Sequence, residues 1–254
     1  MTKAIGVNPN LIPGGGGSVF YGSDGSGNGN SCGNYFYIGE LGGGSVIGSG
    51  SECGFEVSGG AFNSSLAQAV AQNTGYTYGY WFLVGPKFYN NCNGATTTSE
   101  ATTWGEQQAA QAIQAWDNKP YIYKLTIFAD VEQPSTYWKD IYGYYDPSLN
   151  QAVLEGFLSK ISSSNFYQGV YSAPCAWETI MGSSYTLSSD VTAWTYEYSY
   201  SAIPSPCPSF SAESPVSCGS SFQGGQGFGG LMPSLWQYYQ SNTLDLDVAN
   251  FLPS

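Results

Sequence analysis

Short apolar runs rich in β-branched and aromatic residues recur along the chain, separated by stretches with helical spacing. The first, Ser18-Val19-Phe20-Tyr21, predicts a strand, and Tyr35-Phe36-Tyr37-Ile38 a second. Tyr78 to Val84, Tyr121 to Glu132, Gly169 to Ser172, Val191 to Tyr196 and Leu235 to Tyr239 predict five more. Between them lie amphipathic segments. Leu66, Ala67, Val70 and Ala71 fall on one face of a helix over 61–73. Ala109, Ala112, Ile113 and Trp116 share a stripe, and Thr103-Trp104-Gly105-Glu106 has the spacing of a capping box for that helix. Asp146-Pro147 pairs an N-cap residue with proline at the first helical position, ahead of the stripe Leu149, Val153, Phe157 and Ile161. Pro174 to Glu178 opens a short helix.

Strand and helix alternate through the middle of the chain, which argues for βαβ units around a parallel sheet. Seven strands and four helices suit an α/β fold of the (β/α) TIM-barrel type, irregular and with long Gly/Ser-rich loops. The longest loops are expected over 42–60, carrying Glu52, Cys53 and Glu56, and over 198–230. Residues 1–16 read as an arm or linker, and 17–254 as a single barrel domain. No glycine-rich turn follows the strand–GxGxxG–helix order of a nucleotide site.

The 254 residues include no His and no Arg; all six cations are Lys. That removes Ser-His and Cys-His nucleophile pairs, His-held metals and bidentate phosphate clamps. No cofactor or metal is expected. A net charge of −12 disfavours nucleic acid and anionic membranes as partners. No window approaches the roughly 18 apolar residues needed to cross a bilayer. With charged residues at only 9%, protonating the carboxylates alters the surface little, so tolerance of acid is expected.

Cys32, Cys53, Cys92, Cys175, Cys207 and Cys218 contain no C-x-x-C pair. The even count predicts three disulfides and a secreted, extracellular protein. The expected pairing is Cys32–Cys53, Cys92–Cys175 and Cys207–Cys218, which joins sequence neighbours. Met1-Thr2-Lys3-Ala4-Ile5 lacks the charged-then-apolar pattern of an export signal, so export is expected with that signal already removed or by another route.

The chemistry must then rest on carboxylates. Asp130-Val131-Glu132 ends the run Tyr121 to Ala129, and Gln133-Pro134 breaks it. Side chains alternate along a strand, so Asp130 and Glu132 face one side, with Cα atoms roughly 6.6 Å apart. Two acids so close cannot both ionise freely, and one is expected to hold its proton near neutral pH. A protonated acid beside a carboxylate is what glycoside hydrolysis uses.

Four stretches, in order, resemble the family 25 glycoside hydrolases, the muramidase-type lysozymes. They are Tyr76-Thr77-Tyr78-Gly79-Tyr80-Trp81-Phe82, Phe128-Ala129-Asp130-Val131-Glu132, Gly169-Val170-Tyr171-Ser172 followed by Trp177, and Leu235-Trp236-Gln237-Tyr238 followed by Asp245-Leu246-Asp247. The resemblance covers roughly 75 to 254. It implies a secreted enzyme that cleaves an amino-sugar polymer such as peptidoglycan. Glu132 is then the proton donor, and Asp130 the group that orients the acetamido substituent or steadies the oxocarbenium-like state. Asp245 and Asp24 are electrostatic partners, while Asp247 serves as a structural carboxylate. Tyr171, Trp194, Trp236 and Tyr80 are candidates for stacking on sugar rings. The family opens with a Gly-x-Asp strand; here only Asp24 is available, expected in a Gly-rich loop. The alternative is an extracellular barrel that binds glycan or self-associates into a surface layer without catalysis.

Overall fold

The structure is a computed structural model. It describes residues 19–25, 29–47, 52–56, 61–132, 136–196, 202–218, 225–241 and 244–254. The expected arm over 1–16 lies outside these residues.

The strands are β1 (Phe20–Asp24), β2 (Phe36–Ile47), β3 (Glu52–Glu56), β4 (Tyr76–Phe82), β5 (Thr126–Asp130), β6 (Tyr167–Ser172), β7 (Thr192–Tyr196), β8 (Leu235–Ser241) and β9 (Leu244–Ala249). They form one nine-stranded sheet in the order β1-β9-β8-β7-β6-β5-β4-β2-β3, and β1 also pairs with β2. That last pairing closes a ring of eight strands, with β3 a hairpin arm on β2. Neighbours are parallel from β1 through β2 and β4 to β8; β9 runs antiparallel to both β8 and β1. The fold is thus the expected α/β barrel, closed by one reversed strand.

The helices are α1 (Ser64–Asn73), the short turn α2 (Tyr89–Cys92), α3 (Thr98–Asn118), α4 (Pro147–Ser163) and α5 (Pro174–Met181). α4 starts where Asp146-Pro147 predicts, with the Asp146 carboxylate accepting from Ser148 N at 3.0 Å and Leu149 N at 3.3 Å. Asp146→Ala should cost about 1 kcal/mol in a chemical denaturation curve. α3 starts five residues before the expected box. Its capping pair is Thr97 and Glu100, whose side chains bond each other's backbone N–H. Thr103 sits inside the helix and donates to Ser99 O instead.

Side-chain alternation sorts the core into layers. Phe36, Ile38, Tyr78, Phe128, Tyr171, Trp194, Leu235 and Ala249 fill the barrel. The intervening positions, among them Trp81, Ile127, Ala129 and Val170, pack outward against α3, α4 and α5. α3 and α4 touch where Gly105 of one faces the backbone at Val153 of the other, and Gly156 faces Thr102. Below the barrel, Tyr78 OH donates to Pro253 O at 2.8 Å and Thr126 Oγ1 to Ser254 O at 2.8 Å, so the last residues stopper that end.

Three sequence expectations need correction here. The stretch over 42–60 is not simply a loop: β2 continues to Ile47 and pairs with β3 as a hairpin. Glycines supply no side-chain alternation, so the pairing leaves no mark in the pattern. The run from Tyr121 is strand only from Thr126; Tyr121 takes φ +65°, which breaks extended backbone. The disulfides join Cys32–Cys207, Cys53–Cys92 and Cys175–Cys218, none of the expected pairs. Their reason is architectural. Among the described residues no helix covers the outer face of β1, β9 and β8; β9 joins β8 as an antiparallel neighbour, a connection that needs no crossover helix. The segment 202–218 covers that face instead, seating Phe210 on Trp236 and accepting from Tyr21 OH at Pro208 O. Cys32–Cys207 and Cys175–Cys218 fasten it to the barrel at both ends.

Candidate active site

The acids gather at the carboxyl ends of the parallel strands, the end where barrels of this type hold their chemistry. Thr126, Phe128 and Asp130 alternate inward on β5, while Ile127, Ala129 and Val131 face the helices. Glu132 follows on the same side as Asp130, which is the geometry expected from alternation. β1 delivers Asp24, its last residue. Asp24 is therefore at a strand end rather than in a loop, within Gly22-Ser23-Asp24. β9 delivers Asp245 and Asp247 inward, with Leu246 and Val248 packed outward. Asp24 and Asp245 are direct partners in the β1–β9 register. β2 adds Glu40, in line with Phe36 and Ile38.

Asp130 is 4% exposed and Asp247 0%, with Asp24 buried beside them. Glu132 and Asp245 are only half-buried and form the open side of the cluster. Burial, then the charges of Glu132 and Glu40, push the Asp130 carboxyl well above the usual carboxylate range. Burial and the charges of Asp247, Asp245 and Asp130 do the same to Asp24. Asp247 is raised by burial too, against the lowering effect of the Trp194 indole. Glu132 rises to about 7, mainly through burial and then through Asp245. Asp245 rises to about 6 through burial, opposed by its hydrogen bond from Asp24. Two carboxyls can share a hydrogen bond only if one keeps its proton, and the more deeply buried Asp24 is that donor.

A polar frame holds these acids. Gln237 Nε2 donates to Asp24 Oδ2 at 2.8 Å, while its Oε1 accepts from Tyr171 OH. Trp194 Nε1 donates to Asp247 Oδ1 at 2.9 Å. Tyr80 OH donates to Glu40 Oε2 at 3.4 Å, and that oxygen also accepts from Ala61 N at 2.5 Å. Asp130 Oδ1, Asp245 Oδ1 and Asp247 Oδ2 are buried with no hydrogen-bond partner among the described residues. Among the described residues no group of three or more His, Cys, Asp or Glu is arranged to hold a metal ion.

The aromatic candidates separate. Trp194 is 2% exposed, its ring against Tyr171, Phe128 and Tyr80, and Tyr171 is covered by Trp194 and Tyr196. Both build the floor, Trp194 bonding Asp247 directly and Tyr171 reaching Asp24 through Gln237, so neither offers a free face to a sugar. Tyr80, half-buried above Glu40, belongs to the same floor. Trp236 is corrected outright: it faces out of the barrel among Phe210, Tyr238, Leu246 and Val248. Its neighbour Gln237 points inward instead. Glu40 and Gln237 join the site without a sequence expectation behind them. The alternation Phe36, Ile38, Glu40 carries the same signal as Phe128, Asp130.

The raised acids make stability fall with pH. A carboxyl whose folded pKa lies above its unfolded value binds its proton more tightly in the native state. That contribution is complete below about pH 4, the unfolded carboxyl range, and fades as pH rises toward about 7, the value reached by Glu132. The thermal midpoint should therefore be several degrees higher at pH 4 than at pH 7. A midpoint that rises with pH over this window would contradict the cluster's protonation.

The eight-stranded α/β barrel is shared with solved glycoside hydrolases of family 25. A family 25 lysozyme from Aspergillus fumigatus matches with TM-score 0.54 and 17% identity, over 92% of this chain and 95% of that one. A muramidase from Acremonium alcalophilum gives 0.53 and 15% over 91% and 93%. A family 25 glycosyl hydrolase from Bacillus anthracis gives 0.51 and 14% over 91% and 88%. At such identities the likeness establishes the fold. A search of curated proteins returned no match. The chain belongs to the lysozyme-like protein 1 family, whose sequence model matches residues 57–211, and is on that ground a glycoside hydrolase.

Proposed function

We propose that the protein is a secreted enzyme that cleaves peptidoglycan or a related amino-sugar polymer with its carboxyl cluster. The observation that carries this reading is Glu132: half-buried on the open side of the cluster, with its carboxyl raised to about 7. It can hold a proton near neutral pH and still reach a substrate, as a general acid must. Glu132 donates to the leaving glycosidic oxygen. Asp130 lies beneath it, where it can accept from an acetamido N–H or face developing positive charge at the anomeric carbon. Asp24 and Asp245 share a proton and keep the field at the cluster negative. Asp247, sealed under Trp194, fixes the floor. Three disulfides support an oxidising, extracellular setting. The net charge of −12 argues against nucleic acid.

A second reading is a barrel that binds glycan without cutting it, and the burial of Asp130 speaks for it. Release of reducing ends from purified peptidoglycan and from chitin, followed between acidic and neutral pH, decides between them. Catalysis predicts release that declines as pH rises past about 7, where Glu132 loses its proton. Binding to either polymer with no reducing ends at any pH would leave the non-catalytic reading.

A further inference from the structure

Two tyrosines stand out among the described residues by their exposure. Tyr142 is 74% exposed and Tyr144 72%. They belong to the connection from β5 to α4, the same connection that carries Glu132, so they lie on the carboxyl-end rim of the barrel.

The turn that carries them is rigid. Asp140 Oδ1 accepts from Tyr142 N and Tyr144 N, each at 2.9 Å. Asp140 N donates to Tyr144 O at 2.7 Å and Gly143 N to Asp140 O at 3.1 Å. Gly143 takes φ +85° with open space around it, a conformation that favours glycine. Lys139 and Tyr145 close the base as an antiparallel bridge, with Lys139 Nζ 5.5 Å from the Tyr145 ring centre. Ile141 seats the turn against Gly94 of the preceding β4–α3 connection. The cation and the anion of the turn are thus both engaged within it, and what faces solvent is aromatic and uncharged.

An aromatic ledge links this turn to the acids. Phe82, half-buried, is the register partner of Asp130 across β4 and β5. Tyr137 packs on Phe82 at 5.2 Å and on Phe88 at 5.6 Å, and two residues later the turn begins.

We propose that Tyr142 and Tyr144 form a distal glycan-binding platform that holds pyranose rings of the polymer beyond the cleavage point. This rests on the proposed function for the identity of the polymer. The axial C–H faces of a pyranose match the negative face of a phenol ring, and a preset turn loses little freedom on binding. A rigid tyrosine supplies contact area at low conformational cost. An enzyme with such a platform favours long chains over short oligomers.

The test uses the full chain carrying Glu132→Gln, so that bound polymer is not degraded. Sedimentation with insoluble peptidoglycan is compared for this protein, for the same chain with Tyr142→Ala and Tyr144→Ala, and for the same chain with Tyr167→Ala. Tyr167 is 54% exposed but lies at the start of β6, at the opposite end of the barrel. The expected result is binding about tenfold weaker for the double variant, the scale of two aromatic contacts, and unaltered for Tyr167→Ala. All three should melt at the same temperature, since the altered side chains are exposed. Equal binding by the double variant and its parent overturns the platform, as does equal weakening by Tyr167→Ala. Failure of the acid assignment reads differently: there, Glu132→Gln would still release reducing ends.

Discussion

Glu132→Gln is expected to lower the rate of reducing-end release by about a thousandfold, within the range that a positioned general acid contributes. Glutamine keeps the shape of the side chain and its reach into the cluster but has no acidic proton to give. Because Glu132 is half-buried and pressed by Asp245, removing its charge relieves repulsion rather than creating it. The thermal midpoint should therefore hold or rise slightly at neutral pH. Loss of turnover with an intact fold is the signature of the proton donor; near-normal turnover would remove Glu132 from the chemistry. The neighbouring variant Asp245→Asn separates field from proton. It leaves the donor in place but removes the charge that helps raise it, so the upper limb of the pH–rate profile should move to lower pH.

The largest effect on stability is expected where α3 and α4 cross. A Cβ on Gly105 would meet the backbone oxygen of Val153 and stand 2.8 Å from Phe157 N. A Cβ on Gly156 would meet Thr102 O and stand 2.9 Å from the Thr102 carbonyl carbon. Alanine gains about 1 kcal/mol of helix propensity over glycine at an ordinary position. Here the obstacle is backbone, which cannot rotate aside, and overpacking of about 3 kcal/mol is expected to win. Gly105→Ala and Gly156→Ala should each lower the midpoint by about 5 °C. Because both act on one contact, the double variant should fall short of the sum. A rise in midpoint for either would mean the helices can slide apart freely.

The parts of the fold that sequence displays are those governed by local rules. Asp130 and Glu132 share a face because alternation is a property of the strand itself, and Asp146-Pro147 marks α4 because the cap is built from adjacent residues. What long-range packing decides is not displayed. Cys32 bonds Cys207, 175 positions away, because the segment 202–218 lies across strands that no helix among the described residues covers. β9 is not among the strands the pattern predicts, since its inward positions are Asp245 and Asp247 where a barrel strand normally shows apolar residues. Trp236 reads as a sugar platform until the register of β8 turns it outward and Gln237 inward. Glu40 escapes notice because Gly39 and the glycines after Leu41 blur the alternation that it ends.

The reversed strand β9 has a consequence in time. It leaves the ribosome after the other strands of the ring, yet it closes that ring against β1 and brings two of the six acids. A nascent chain released up to β8 has an open seam and no Asp245 to press on Glu132. Such a chain lacks the complete acid cluster, and whatever chemistry that cluster supports can begin only once synthesis has passed Asp247.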